Sequence, residues 1–130
     1  MLESVCAALD ILDSRYIDFK FTLADVIADN CSAGGYVLGP IIKPAKMDFA
    51  NLKMNLKVNE VTVEQGVSSA ISGNPINSLI LLSQLLAEEK SFIKAGSIVL
   101  SGASTRAVNL KPGMSIANET EVLGCAMFRC

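Results

Sequence analysis

The stretch that most narrows the possible folds is NLKMNLKVNEVTVEQG, residues 51–66. Leu52, Met54, Leu56 and Val58 alternate with Lys53, Asn55 and Lys57, a period of two that suits a strand and not a helix. Asn59 and Glu60 break the pattern, and Val61 and Val63 resume it. The stretch therefore predicts an antiparallel hairpin with one wet face. A hairpin is stable only against something else, so the rest of the chain must supply further strands or a helix.

It supplies both. SVCAALDIL, residues 4–12, is a short apolar run suited to a buried strand, with a helix left open by periodicity alone. TLADVIADN places the Thr22 hydroxyl three residues before Asp25 and ends at Asn30, which predicts a short capped helix. SAGG follows as a turn, GGYVLGP reads as a strand closed by Gly39 and Pro40, and Pro44 continues an irregular connector. Asn74 and Pro75 give an N-cap and a first-turn proline to INSLILLSQLLAEEK, whose apolar residues at 76, 79, 80, 82, 86 and 87 form a broad helical face. AGSIVLSG, VNLKPGMSIAN and VLGCAMFRC read as three closing strands separated by Gly and Pro turns. Strands outnumber helices, so the fold class is α+β, predominantly β, with one main helix.

Composition excludes several functions. At 130 residues with 51% hydrophobic side chains, one domain with a sizeable core is expected. The net charge of -2 and the scattered Lys and Arg residues give no footprint for nucleic acid. The longest apolar run, SLILLSQLLA, falls short of the ~20 residues that span a bilayer. No basic leader or small-residue cleavage pattern is present, which points to the cytoplasm. Cys6, Cys31, Cys125 and Cys130 form no CxxC pair and read as reduced thiols that mainly fill the core. With no histidine, the usual zinc spacings and the His-dependent nucleophile schemes are absent. Chemistry is left to carboxylates, Lys, Arg, Tyr, hydroxyls or a metal.

ALDILDSRYIDFKF, residues 8–21, sets Asp10, Asp13, Arg15, Asp18 and Lys20 among apolar residues. A buried charge is costly unless it is paired or bound to a metal. Asp13 and Arg15 read as an ion pair or backbone clamp in preference to catalysts. Asp29 and Asn30 read as helix caps first and site residues second. Asp10 has a plain alternative as the partner of Arg15 or Lys20. Glu119 and Glu121, flanking Thr120, read as a solvated turn in preference to a metal site. Glu88 and Glu89 read as a wet helix end.

Taken in order, CAALDILDSRY, FKFTLADVIADNCSAGGYVLG, ISGNPINSL, AGSIVLSGAST, VNLKPGMSI and LGCAMF resemble the C-terminal half of the hydratase/decarboxylase branch of the fumarylacetoacetate hydrolase superfamily. The resemblance covers essentially the whole chain and, through DSRY, FKF, ADN and SGNP, leans to the decarboxylase side. It implies a roll of mixed sheets around a central site and a divalent cation, magnesium or manganese, held by three carboxylates. Two of those belong to a Glu-x-Glu motif upstream of the matched part, and the third aligns with Asp10, where the family usually carries Glu. Lys20 would then lie near the substrate carboxylate or the developing enolate, or else form a surface salt bridge. Ser32 and Thr105 are candidate hydroxyl donors.

The implied activity is metal-dependent decarboxylation of 2-oxo-3-hexenedioate to 2-hydroxypenta-2,4-dienoate, in meta-cleavage degradation of aromatics. Its alternatives are hydration of 2-hydroxypenta-2,4-dienoate, or a non-catalytic truncated or assembly subunit. The sequence begins at Met1 just ahead of the third-ligand segment. Residues 1–130 are thus expected to form a single domain resembling the C-terminal part of a longer enzyme, its N-terminal portion and the Glu-x-Glu ligands absent. A small-molecule 2-oxo acid, and either a second copy or the sibling hydratase or decarboxylase, are the expected partners. A generic small-ligand β domain would explain the composition but not the ordered motifs.

Overall fold

A computed structural model describes residues 2–44 and 46–130, so the expectation attached to Met1 lies outside the described residues. The elements run β1 (Ala8–Leu12), α1 (Leu23–Ala28), β2 (Ala33–Leu38), β3 (Lys53–Val58), β4 (Val61–Val67), α2 (Pro75–Glu88), β5 (Ser115–Thr120) and β6 (Gly124–Arg129). They build a two-stranded sheet, β1-β2, and a four-stranded sheet in the order β4-β3-β5-β6. The α+β class with one main helix stands, and each of these ladders is antiparallel where the resemblance implied mixed sheets.

The hairpin forms where the alternation places it. Asn59 and Glu60 take φ values of 49° and 69°, the left-handed pair that a two-residue turn needs to match the strand twist. Beyond the turn the pattern fails. Val58 pairs with Val61 and Lys57 with Thr62, but Leu56 pairs with Glu64, which leaves Val63 as the extra residue of a bulge. Val63 is exposed at the bulge, and Val61 is exposed beside the turn.

One face of β3, β5 and β6 carries Leu56, Ile116 and Ala126, all buried. The small sheet lies over this side: Asn118 Nδ2 on β5 donates to the Ala8 carbonyl on β1 at 2.9 Å. Gly39, just past β2, has no room for a side chain, because a Cβ there would stand 2.9 Å from the Cys125 carbonyl oxygen. Ala7, Leu52, Leu123 and Ala126 make the core at this junction, with Val5, Leu9, Ile42, Met47 and Phe49 packed against it.

Both helices start as their caps predict. Thr22 and Asp25 form a reciprocal capping box on α1, and Asn74 Oδ1 accepts from the Ile76 amide on α2. The apolar face of α2 is only partly covered. Ile76, Leu79, Leu82 and Leu86 are half-buried, whereas Ile80, Leu81 and Leu85 are about half exposed. Two of the three closing strands appear, as β5 and β6. AGSIVLSG does not form one. Its residues pair with no neighbouring strand, and Ile98, Val99 and Leu100 are exposed, since β propensity needs a ladder to act on. The thiols are free, but Cys31 and Cys130 are exposed, so only Cys6 and Cys125 contribute to packing. Among the described residues no helix is long and apolar enough to cross a membrane.

Candidate functional site

β1 has two unlike faces. Ala7 and Leu9 turn toward the core, while Asp10 sits on the opposite side, exposed, directly across from Tyr36 of β2. Leu12 shares that face and is also exposed. Asp10 is therefore no buried acid, yet the protein mass around it removes enough water to raise its pKa above the ordinary aspartate value. Neither Arg15 nor Lys20 forms an ion pair with it, so the plain alternative for Asp10 is not what the fold adopts.

The segment joining β1 to β2 gathers the next candidates. Asp13, at its start, donates its amide to the Ser32 carbonyl at 2.8 Å, which extends the sheet past its last strand pair. Arg15 is the backbone clamp that the sequence suggested, but its partner is Asp29 and not Asp13. Arg15 Nε lies 3.2 Å from Asp29 Oδ1. Its Nη1 donates to the Asp29 carbonyl at 3.3 Å and its Nη2 to the Ala33 carbonyl at 3.0 Å. Asp29 stands at the C-cap position of α1, with its carboxylate given to Arg15 and to the Ser32 hydroxyl, which donates at 3.2 Å. No spacing rule joins residues 14 apart across a helix, so this pairing left no mark in the sequence.

Ser32 is only 3% exposed, its hydroxyl already committed to Asp29. Lys20 is solvent-exposed and pairs with Asp18 at 3.6 Å, the surface salt bridge that was its alternative reading. Tyr16 ties the segment together, its hydroxyl donating to the Asp25 carbonyl at 3.2 Å and its ring tilted against Phe21 at 5.9 Å. Thr105 lies elsewhere in the fold, half-buried beside Ser104, which packs on Gly66 and donates from its hydroxyl to Met54 Sδ at 2.9 Å. The β1–β2 ladder thus brings Asp10 and Ser32 into one unit with Lys20 on its connection, and Thr105 belongs to the strap across the hairpin.

Glu119 is a correction: it sits within β5, half-buried, paired with Lys57 at 2.6 Å, and is not in a turn. Glu121 does lie in the turn, with Oε2 accepting weakly from the Lys53 amide at 3.5 Å. These two acids, with Lys53, Asn55 and Cys125, line a recess on the wet face of the larger sheet. Burial, and then the charge of Glu119, raise the Cys125 thiol above its ordinary value, so it is a poor nucleophile there. Among the described residues no group of three or more Cys, Asp or Glu side chains is placed to hold a metal ion. Asp10 can offer one carboxylate to a cation, and hard divalent ions take several oxygen ligands. The described residues therefore do not make a complete cage.

Residues 2–129 match the family model described as fumarylacetoacetate (FAA) hydrolase C-terminal. The chain is 46% identical over 127 residues to a 4-oxalocrotonate decarboxylase of a Pseudomonas species, covering 98% of this chain and 49% of that protein. It is 34% identical over 113 residues to a 2-keto-4-pentenoate hydratase of Paraburkholderia xenovorans (strain LB400), covering 86% of this chain and 42% of the relative. Among solved structures, the 4-oxalocrotonate decarboxylase of Pseudomonas putida G7 complexed with magnesium and adipate superposes with a TM-score of 0.92 at 33% identity, over 98% of this chain and 49% of that one. The chain spans about half the length of the curated relatives it matches.

Proposed function

Because the chain belongs to the fumarylacetoacetate hydrolase family, matching its C-terminal domain, we propose that it is the C-terminal portion of a divalent-metal-dependent lyase that removes CO2 from 2-oxo-3-hexenedioate to give 2-hydroxypenta-2,4-dienoate. The observation that carries this reading is the 46% identity over 127 residues to a 4-oxalocrotonate decarboxylase. A second reading, hydration of 2-hydroxypenta-2,4-dienoate, is favoured by the 34% identity to a 2-keto-4-pentenoate hydratase. The decarboxylase reading ranks first because its relative matches more of the chain at higher identity.

Asp10 is the one carboxylate this chain brings to a magnesium or manganese ion, and the remaining ligands come from protein outside it. Its place on the open face of β1, across from Tyr36 and without an ion-pair partner among the described residues, supports that role. Lys20 is the cation assigned to the substrate carboxylate or the developing enolate, and its exposed pairing with Asp18 is weak enough to be exchanged for either. Thr105 is a hydroxyl donor from the strap. Ser32, committed to Asp29, braces the turn beneath the site. The missing ligands would come from a Glu-x-Glu segment outside these residues, upstream in a longer protein or in the sibling hydratase or decarboxylase.

The test mixes the chain with magnesium or manganese and 2-oxo-3-hexenedioate and follows CO2 release, alone and after addition of a 2-keto-4-pentenoate hydratase. CO2 release in either mixture, lost with Asp10→Asn, supports the reading. Water addition to 2-hydroxypenta-2,4-dienoate by the chain without CO2 release would establish the hydratase reading instead. No turnover when the chain replaces the matching half of a full-length 4-oxalocrotonate decarboxylase, where that enzyme itself is active under the same conditions, leaves a non-catalytic assembly module.

A further inference from the structure

Asn30, Cys31 and Ser32 are three consecutive non-glycine residues with positive φ, at 51°, 57° and 59°. Left-handed backbone is disfavoured for any side chain with a Cβ, and Cys and Ser lack the tolerance of Asn. Such a run persists only where its surroundings over-determine it. Here the surroundings are one guanidinium. Arg15 bonds the carboxylate and carbonyl of Asp29 on one side of the run and the carbonyl of Ala33 on the other. From within, the Ser32 hydroxyl donates to Asp29 and the Ser32 carbonyl accepts the Asp13 amide.

The turn is not an isolated loop. Ala33 pairs with Leu12 at a register irregularity of the β1–β2 ladder, and Asp10 pairs with Tyr36 on the same ladder. A slip of one residue would carry Asp10 to the opposite face of the sheet. We propose that Arg15 is a positioning residue, whose forked grip on both ends of the left-handed turn fixes the β1–β2 register that sets Asp10 on its open face. This deepens the reading of Asp10 as a metal ligand and rests on it only for the metal arm of the test below.

The guanidinium fork matters more than its charge, because two carbonyls and one carboxylate are bonded at once. Arg15→Lys keeps the charge and loses the fork, and Arg15→Met loses both. Glycine takes positive φ without penalty, so Cys31→Gly removes much of the strain that the clamp opposes. The full chain is compared as wild type, Arg15→Lys, Arg15→Met, Cys31→Gly and Arg15→Met/Cys31→Gly, by thermal midpoint and by amide exchange at Asp10, Ile11 and Tyr36.

Arg15→Met is expected to lower the midpoint by about 5 °C or more and to speed exchange along the ladder. Arg15→Lys should fall between it and the wild type, and the double variant should recover most of both losses. An unchanged ladder in Arg15→Met, or a Cys31→Gly effect that is the same with and without Arg15, would overturn the proposal. With manganese as probe, in a mixture with a 2-keto-4-pentenoate hydratase that supplies further ligands, Arg15→Met should weaken the affinity that the chain adds about tenfold, restored in the double variant. A wild type that adds no manganese binding to that mixture sinks the role of Asp10 as a ligand there, while the exchange data still judge the clamp.

Discussion

Asp10 and the capping acids respond to pH in opposite senses. Its raised pKa means that the folded chain holds the Asp10 proton more tightly than the unfolded one. Its contribution is therefore present below the ordinary aspartate value, about 3.9, and is lost as pH rises through the raised folded value. Asp25 and Asp48 run the other way. Hydrogen bonds from the Thr22 amide and hydroxyl lower the first, and bonds from the Asn51 side chain and the Ala50 amide lower the second. Their contributions are present above the ordinary value and are lost as pH falls through the folded one. Asp10→Asn, which removes the charge and keeps the shape, should raise the thermal midpoint at pH 7 and leave it nearly unchanged at pH 3. Equal shifts at the two pH values would show that desolvation of the carboxylate is not what Asp10 costs the fold.

At the scale of elements, the strap over the hairpin is the part whose placement rests on a single backbone approach. A Cβ on Gly66 of β4 would collide with the Ser104 carbonyl oxygen, which backbone on both sides prevents from moving freely. Gly66→Ala should cost about 1–3 kcal/mol, read as a lower urea midpoint, with faster proteolytic nicking near residues 101–105. An unchanged midpoint would mean that the strap lifts away without loss. The same region marks where sequence reading stops. The hairpin, both helix caps and the terminal strand pair were legible because each rests on residues within a few positions of one another. AGSIVLSG was not, since its short apolar run makes a strand only where another strand accepts its amides. The clamp was half legible: an Arg beside acids promised an ion pair, but choosing Asp29 over Asp13 depends on how α1 folds back. Asp10 was placed on the right strand and the wrong side, because a nine-residue apolar run does not tell which of its two faces meets the core.

For the whole molecule, the accessible surface of 9092 Å² is the quantity that departs from expectation. A folded monomer of 13.8 kDa should expose about 6,600 Å². The excess, roughly 2,500 Å², is comparable with the area that obligate subunit interfaces bury. Much of it is apolar and falls on the helix and the segment that follows it: Ile80, Leu81, Leu85, Phe92 and Ile98 are each about half exposed or more. Apolar surface on this scale drives association. A helix of 14 residues is also near the length at which isolated helices are marginal in water. Cover over α2, from another copy or from the rest of a longer protein, would thus stabilise the helix. The chain should accordingly sediment as a species larger than a monomer at micromolar concentration, with helical circular dichroism that rises as the chain is concentrated. Replacing Leu81 and Leu85 together by Glu should shift it toward monomer and remove that concentration dependence. A wild-type chain that stays monomeric, with full helix signal at the lowest concentration measured, would show that α2 stands without a partner.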